Sequence, residues 1–289
     1  DYDLKQYIYC TSLMKFVPIF NINKLIREAA FRMDETHSHD CYELVYLFSG
    51  ECNILVSHTI YRMVPGTLVI IPPGEIHKTS YGSNDKVRQQ RAALRFSIKD
   101  TDWLCSALGK DFVKDNLTAG IIEVPDKRKE YIENLITRMI YENQMPDELS
   151  MGMVKTLFQE FMIFVLRCKL YGDTSAHEID AQNSTIQDVA TYVYNNYDKQ
   201  IYLDDVAKQF SISRSYLSKK FKQTTGFGFK EYLLNVRIKE ACRLLLETNH
   251  SITDIAFACG FNDSNYFGDA FRRIKGISPN KYRHNRDVV

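Results

Sequence analysis

The sequence lacks the features that mark secreted, zinc-ribbon and membrane proteins. Its seven cysteines are scattered without a CxxC pair, which excludes a zinc ribbon and a dense disulfide framework. No apolar run reaches the ~18 residues that a membrane span needs, and the most apolar stretch is residues 161–166. The start of the chain shows no signal-peptide pattern. We therefore expect a cytoplasmic protein with reduced thiols and no membrane partner.

Net charge is nearly absent overall, at +1, but it is unevenly distributed. Residues 184–289 hold 16 Lys and Arg against 11 Asp and Glu, a balance of +5. The remaining residues hold 21 against 25, a balance of −4. A basic segment beside an acidic one favours contact between the basic end and a polyanion. The length of 289 residues is enough for two domains of ordinary size.

The first half of the chain carries strand signals followed by helix signals. Four β-branched or aromatic segments, separated by Gly and Pro turns, predict a small antiparallel barrel or sandwich. They are residues 42–48, 53–57, 67–71 and 92–98. Amphipathic helices are predicted at residues 131–143 and 151–171. The second helix is apolar nearly all round, which predicts packing either against its own barrel or against a second copy of the chain.

The last hundred or so residues are predicted to be short helices after a polar linker at residues 172–184. Residues 203–225 combine an apolar helical face, a short turn and an N-cap at Ser213. Leu217 and Phe221, four residues apart, form the core side of the helix that follows the cap. This order of helix, tight turn and helix predicts a helix-turn-helix unit.

A second copy of the pattern follows 49 to 50 residues later, at residues 252–275. Gly260 occupies its turn, where a left-handed residue is needed, and Asp263 is placed to cap the next helix. Between the copies, residues 229–247 predict a long helix. Two recognition helices must be about 34 Å apart to enter successive major-groove segments on one face of DNA. A rigid connecting helix meets that need.

A family resemblance rests on three segments of the C-terminal part, namely SISRSYLSKKFKQTTG, VRIKEACRLLLET and ITDIAFACGFNDSNYFGDAFRRIKGISPNKYR. They resemble the AraC/XylS family of bacterial transcription regulators. The resemblance implies an α+β chain with an effector-binding and dimerisation domain at residues 1–171 and a DNA-binding domain at residues 185–289. It further implies double-stranded DNA, a small-molecule effector, a second copy of the chain and RNA polymerase as partners.

The first recognition helix is predicted to present five exposed side chains to DNA: Arg214, Ser215, Ser218, Lys219 and Lys222. The base-reading positions of the family fall on Ser215, Ser218 and Lys219. Lysine donates to guanine, and serine pairs with several base edges. We expect Arg214, Lys220 and Lys222 to contact phosphates, which set affinity and register rather than sequence preference.

In the second recognition helix the matching positions are Ser264, Asn265 and Asp269. Asn265 is suited to adenine, whereas Asp269 repels phosphate unless it accepts from cytosine N4. Arg272 and Arg273 are predicted phosphate contacts. We therefore expect weaker or narrower base reading from the second unit than from the first.

The β region contains a second recognisable pattern. His37 and His39 form an HxH pair, Glu43 follows, and a PPG turn precedes His77 on a further strand. These resemble the two motifs of the cupin barrel. Side chains two residues apart share one face of a strand, and three imidazoles with a carboxylate suit Zn, Ni, Fe or Mn. A divalent metal held by these four residues is one prediction.

The alternative is that these four residues line a pocket for a polar small molecule. Further candidates for lining it are Tyr46, Tyr81, Arg95 and Trp103. Regulators of the resembled family often keep the same positions as a hydrogen-bonded patch without metal, and members with this front end often sense sugars or related metabolites. We therefore predict a regulator that responds to a sugar-like effector.

Two other hypotheses stay open at this stage. One is a metal-dependent cupin enzyme, an oxygenase or isomerase, fused to a DNA-binding segment, which needs a metal with an open coordination position. The other is a DNA-binding protein without an effector that is controlled by a protein partner. The residues themselves do not separate these hypotheses from an effector-responsive regulator.

Overall fold

The computed structural model describes residues 20–27, 41–80, 89–144, 146–172 and 181–284. The fold is α+β, with strands and covering helices in the first part and helices alone in the second. The strands are β1 (Phe20–Arg27), β2 (Tyr42–Ser49), β3 (Cys52–Val56), β4 (Thr59–Met63), β5 (Thr67–Ile71), β6 (His77–Ser80), β7 (Gln89–Phe96) and β8 (Gly120–Glu123). The antiparallel β architecture that the sequence predicts is confirmed.

The strands form two antiparallel sheets. The large sheet has the order β1-β7-β2-β5-β8, and the small sheet has the order β4-β3-β6. Side chains alternate between the faces of a strand, so the two faces of β2 differ in what they contact. Val45 and Leu47 face the small sheet in an apolar cluster with Ile54 and Val56. This cluster forms the interior between the two sheets.

The opposite face of the large sheet is covered by helices. A 3-10 turn (Ile98–Thr101) leads to α1 (Asp102–Leu108), α2 (Lys110–Asn116), α3 (Asp126–Gln144) and α4 (Ser150–Tyr171). Leu44 and Tyr46 of β2 pack there with apolar side chains of α3 and α4. The helix predicted at residues 131–143 begins earlier, at Asp126, because its first turn is charged and has no apolar periodicity.

Helix α4 uses most of its apolar side chains inside its own domain. Phe158, Phe161 and Met162 are at most 2% exposed within the cluster that covers the large sheet. Ile163 and Leu170 stay 41% exposed on one side of the helix. Packing against its own barrel therefore accounts for most of the all-round apolar pattern, and a narrow apolar strip faces outward. No helix of the described residues has the length and hydropathy needed to cross a membrane.

The second part of the chain consists of seven helices among the described residues: α5 (Ala181–Asn195), α6 (Leu203–Gln209), α7 (Arg214–Thr225), α8 (Phe229–Glu247), α9 (Ile252–Ala258), α10 (Ser264–Lys275) and α11 (Pro279–His284). The last four residues of the predicted linker, which was placed at residues 172–184, belong to α5, because this helix begins at Ala181. Residues 173–180 lie outside the described part of the chain.

Candidate nucleic-acid interface and small-molecule site

Helices α6 and α7 form the first helix-turn-helix unit, as predicted. Leu217 and Phe221 of α7 are fully buried, so the opposite side of the helix faces solvent. The Oγ of Ser213 accepts a hydrogen bond from the amide of Tyr216 at 3.2 Å and so caps α7. Such a cap satisfies one of the amides at the helix start that have no partner within the helix.

The exposed side of α7 is basic. Arg214, Ser215, Ser218, Lys219 and Lys222 are all exposed, as predicted, and the helix contains no acidic residue. Lys220 is half-buried at the flank of the packed face. The guanidinium of Arg214 lies 3.4 Å from Asp204 of α6, with both side chains more than half exposed. A surface ion pair of this kind is weak, so Arg214 is readily released to another anion.

Helices α9 and α10 form the second unit around Phe267 and Phe271, which are fully buried. The carboxylate of Asp263 accepts from the amides of Asn265 and Tyr266 at 2.6 and 3.2 Å, so this residue caps α10 as predicted. Gly260 in the turn has a φ of +80°, and an added Cβ would lie 2.7 Å from the carbonyl oxygens of Tyr197 and Asp198.

The exposed side of α10 carries charges of both signs. Asn265, Asp269, Arg272 and Arg273 are exposed, whereas Ser264 is half-buried. The acidic residue lies at the position that Lys219 occupies in α7, fifty residues earlier. The two recognition helices therefore present different electrostatic surfaces, and contact of these side chains with DNA stays a prediction.

Helix α8 joins the two units and spans the predicted residues 229–247. Its first half packs into the core of the first unit through Tyr232 and Val236, and its second half packs into the core of the second unit through Ala241 and Leu245. Nineteen residues extend a helix by about 28 Å at the usual rise. This length is of the order that two successive major-groove segments require.

Two polar residues that the sequence reasoning missed connect the units directly. Arg237 of α8 donates to the carbonyl oxygens of Tyr197 and Lys199 at 2.9 and 2.8 Å, and its guanidinium lies 5.7 Å from the ring centre of Phe261 in the second unit. The amide of Gln200 donates to the carbonyl oxygen of Gly260 at 3.1 Å. Most of these hydrogen bonds reach backbone carbonyls of distant segments, which no sequence pattern identifies. They restrict rotation of one unit against the other.

The β domain brings three of the predicted ligand-binding residues together. Glu43 of β2 and Arg95 of β7 are directly opposite each other in the sheet, and the Nη2 of Arg95 lies 3.4 Å from the carboxylate of Glu43. The Nε2 of His77 lies 3.1 Å from the other carboxylate oxygen. We call Glu43, His77 and Arg95 the polar cluster. Glu43 and His77 are nearly buried, with side-chain exposures of 7% and 8%.

Further polar side chains share this interior. Arg91 is four residues from Arg95 along β7, and its Nη1 donates to the Oγ1 of Thr79 at 2.7 Å. Both residues are about 6% exposed. Sequence reasoning missed them because they belong to no motif, although their even spacing from Arg95 and His77 places them on the same strand faces. Buried charged groups of this kind are held by partners.

Two predicted lining residues are not part of the polar cluster. Tyr46 lies on the opposite face of β2, where its hydroxyl donates to Glu133 of α3 at 2.9 Å. Trp103 lies on α1 and packs against the cluster of apolar residues that covers the large sheet. The prediction that they share a pocket with Glu43 is wrong. Tyr46 is three residues from Glu43 and so lies on the other face of β2, and Trp103 lies on a helix. His37, His39 and Tyr81 lie outside the described residues.

The described half of the predicted metal site has one feature that favours a divalent ion and one that opposes it. The Nδ1 of His77 lies 2.9 Å from the carbonyl oxygen of Glu75, which is how a metal-bound imidazole is usually oriented. Its other nitrogen and Glu43 converge on one region. The guanidinium of Arg95 on the same carboxylate opposes a cation there. Within the part of the chain that is described, no three His, Cys, Asp or Glu residues form a metal-binding group.

Two helix-turn-helix units on one rigid helix, joined to a β domain with a buried polar cluster, define a DNA-binding transcription regulator with a sensor domain. Family models agree with both halves: an AraC-like ligand binding domain matches residues 26–117, and a helix-turn-helix domain matches residues 206–285. The HTH-type transcriptional activator RhaS of Salmonella arizonae is 33% identical over 268 residues, covering 93% of each chain. The chain therefore belongs to the AraC/XylS family of transcription regulators.

Other relatives have the same character. The HTH-type transcriptional activator RhaR of Mannheimia succiniciproducens is 24% identical over 247 residues, 86% of each chain. Among solved structures, the C-terminal domain of AraT, a response regulator from Geobacillus stearothermophilus, is 33% identical and covers 35% of this chain and 85% of that chain, with a TM-score of 0.35. The chain is thus a regulator that binds DNA and responds to an effector, and it is not an enzyme.

Proposed function

We propose that this regulator activates transcription by reading its operator mainly through α7. The observation that carries this proposal is the exposed face of α7, which is basic and free of acidic residues, whereas α10 carries Asp269 in the corresponding position. Ser215, Ser218 and Lys219 are assigned to base edges. The phosphate contacts are assigned to Arg214, Lys220, Lys222, Arg272 and Arg273.

The assignment is tested by comparing Lys219→Ala with Lys222→Ala. Operator DNA is first selected from a random-sequence pool with the full chain, and binding is then measured across a salt series. Losing a base contact costs about 1–3 kcal/mol on the selected site only, whereas losing a phosphate contact weakens all DNA and lowers the salt slope by about 1. Equal losses for Lys219→Ala on selected and random DNA would contradict base reading by this residue.

The effector is proposed to be a small sugar-like molecule bound at the polar cluster. Support comes from the chemistry of the cluster: Glu43 offers acceptors and Arg95 offers donors beside the apolar cluster between the two sheets. A few polar groups that converge in an apolar surrounding are typical of small-molecule sites. Hydroxyl groups on adjacent carbons match such a pair of donor and acceptor.

Thermal-shift screening with neutral pentoses and hexoses, deoxy sugars and uronic acids tests this proposal. A ligand that binds the folded chain raises its Tm by mass action, and Glu43→Gln is expected to abolish that shift. Tyr46→Phe is the matched control on the opposite face of β2, and it should leave the shift unchanged. If no sugar shifts the wild type, the hypothesis of control by a protein partner gains over an effector.

A divalent metal is the second candidate ligand for the same residues. The support is the orientation of His77, whose Nδ1 is occupied by a backbone carbonyl while Nε2 and Glu43 converge. A bound ion would supply positive charge for an anionic or hydroxylated ligand. Elemental analysis of the purified chain tests this candidate. Less than one metal ion per ten chains, in the wild type and in His77→Gln alike, would exclude the metal and leave the sugar-like molecule as the remaining candidate ligand.

The chain is further proposed to be a cytoplasmic homodimer that contacts RNA polymerase. The dimer contact is assigned to the outward strip of α4, where Ile163 and Leu170 are one heptad apart and 41% exposed. Ile163→Glu should convert a dimer into a monomer in sedimentation experiments. Thr137→Glu, at an exposed position of the neighbouring helix α3 and off this strip, is the control and should not. In-vitro transcription with purified polymerase tests the proposed contact with RNA polymerase.

A further inference from the structure

The outer face of the small sheet is covered by the first helix-turn-helix unit. Leu55, Ile60 and Ile76 of the β domain are at most 3% exposed and belong to the same apolar cluster as α5, α7 and α8. Burying such a side chain stabilises a contact by roughly 1.5–3 kcal/mol. The cluster at the core of the second unit contains no side chain of the β domain among the described residues. The sensor therefore docks on the first unit.

Strand β6 meets the junction between α7 and α8 with its outward side chains. The Oγ of Ser80 donates to the carbonyl oxygen of Thr224, in the last turn of α7, at 2.5 Å. The Nζ of Lys78 lies 3.0 Å from Glu231 of α8. The second carboxylate oxygen of Glu231 accepts from the amide of Gly228 at 3.0 Å and caps α8. Lys78 and Ser80 thus hold the end of one helix and the start of the next.

The chain also approaches β6 closely at the junction. Gly226 ends α7 with a φ of +79°, and an added Cβ would lie 3.0 Å from the Cγ of Lys78 and 3.2 Å from the carbonyl oxygen of Thr79. The ammonium group of Lys78 lies 5.0 Å from the ring centre of Phe227. Because Lys78 is only 7% exposed, its position is determined by the junction rather than by solvent.

The inward side chains of the same strand belong to the sensor interior. His77 contacts Glu43 of the polar cluster, and Thr79 accepts from Arg91. Successive residues of a strand point to opposite faces, so four residues connect the interior of the sensor with the recognition helix. Each of the inward residues His77 and Thr79 is separated from an outward residue by a single peptide unit.

We propose that β6 is the element that carries the effector signal to DNA, by changing the orientation of α7 through Lys78 and Ser80. This inference rests on the proposed role of the polar cluster as the effector site. The side chains of α7 assigned to DNA, such as Ser215 and Lys219, are exposed while the domain is docked. The sensor therefore acts on the position of the helix and not by covering its DNA-binding face.

A double-mutant cycle on the full chain tests the route. Glu43→Gln perturbs the polar cluster, and the pair Lys78→Met with Ser80→Ala removes the polar contacts to the junction but keeps the apolar stem of Lys78. Affinity for the selected operator is measured in all four combinations. The expected result is a change of roughly fivefold or more for Glu43→Gln in the wild type, within the range of allosteric couplings, and little change in the Lys78→Met, Ser80→Ala background.

The outcomes separate this inference from the proposed effector site. Equal changes in both backgrounds, or no change for Glu43→Gln in the wild type, would overturn the route through β6. The sugar screen would still decide on the effector site by itself. Arg62→Met is the matched control, because Arg62 is a cation on β4 of the same small sheet whose ion pair with Glu51 is exposed. It should leave the effect of Glu43→Gln intact.

Hydrogen exchange tests the contacts at the junction by a measurement that does not depend on DNA. The amides at residues 225–228 should exchange faster in the Lys78→Met, Ser80→Ala protein than in the wild type, and those of α9 should not change. Unchanged exchange at the junction would show that these contacts do not hold it. Thermal unfolding of each variant confirms that the chain stays folded.

Discussion

At the scale of single residues, the turns of the two helix-turn-helix units use the same backbone conformation with different side chains. Ser211 has a φ of +55° and Gly260 a φ of +80°. Their amides donate to the carbonyl oxygens of Lys208 and Phe257, at 3.1 and 2.9 Å, three residues earlier in each case. A left-handed conformation costs an L-residue about 1–2 kcal/mol, and glycine avoids this cost.

Gly260→Ala is expected to lower the free energy of unfolding by more than 2 kcal/mol. The left-handed backbone accounts for about 1–2 kcal/mol. The new Cβ would also lie 2.7 Å from two backbone carbonyl oxygens, which must then separate. Gly276→Ala is the control: its φ is +74° with nothing within 4 Å, so it carries the backbone cost alone. Urea unfolding measures both, and equal losses would rule out the steric contribution.

Ser211→Gly should act in the opposite direction. The substitution relieves the left-handed conformation, while glycine loses about 0.5–1 kcal/mol through the flexibility of the unfolded chain. We expect a net gain of about 0.5 kcal/mol, seen as a higher urea midpoint. Ser211 is exposed, so packing changes little. A lower midpoint would mean that the serine side chain contributes more to the turn than its conformation costs.

At the scale of elements, periodicity in the sequence located several of the long helices and of the apolar strands. Residues 229–247 and 67–71 were predicted with the bounds of α8 and β5. The short strand β4 and the four residues of β8 were not predicted, because neither has enough alternation to separate it from a turn. The predicted start of α3 was wrong, because its first turn, from Asp126, is charged and carries no apolar periodicity.

Strand β6 shows why part of the site was beyond prediction. Its sequence is His-Lys-Thr-Ser, yet all four residues are buried. One face meets the polar cluster and the other meets a different domain, so a hydrophobic pattern is absent from both. All three residues of the polar cluster were predicted from the sequence, whereas Tyr46 and Trp103, predicted to line the same pocket, lie elsewhere. Motif spacing identifies strands, but pairing of strands decides which residues meet.

Helix α10 yields a prediction about charge. Asp269→Ala should raise affinity for random DNA by about 0.2–1 kcal/mol, the usual range for an exposed charge interaction, because it removes a negative side chain from a helix face that also carries Arg272. Asp188→Ala, an exposed acid on α5, should leave binding unchanged. Binding assays on random and selected DNA decide the point. A loss confined to sites with one particular cytosine would instead show that Asp269 accepts from cytosine N4.

At the scale of the whole molecule, the sensor and the first unit share one interface that includes ionisable groups. The hydroxyl of Tyr232 donates to the carbonyl oxygen of Ser57 at 2.8 Å, and Gln187 donates to that of His58 at 2.6 Å. Lys239 of α8 pairs with Glu75 at 2.8 Å. Breaking one partner of a buried polar contact leaves the other unsatisfied, so the docked arrangement is specific.

The imidazole of His58 makes this interface sensitive to pH. It packs 4.5 Å from the ring of Tyr194, and its Nδ1 has no hydrogen-bond partner among the described residues. Burial lowers the pKa of His58 below its usual value of 6.5; Glu75 opposes this effect and Lys239 adds to it. The unfolded chain therefore takes up a proton below about pH 6.5 that the folded chain resists. The contribution of His58 to stability is full above that pH and decreases as the pH falls.

Thermal unfolding at pH 7.5 and 5.5 should therefore show a larger decrease in Tm for the wild type than for His58→Phe, by a few degrees at most. Phenylalanine keeps the ring beside Tyr194 but cannot titrate, so the difference between the two proteins isolates this residue from other groups that titrate in both. His250→Phe, at an exposed position, should behave like the wild type. If His58→Phe lost as much stability on acidification as the wild type, the neutral imidazole would not be required at the interface. If it lost less, acid would loosen the contact between the sensor and the first unit. The core of the second unit would stay intact, because among the described residues it shares no side chain with that contact.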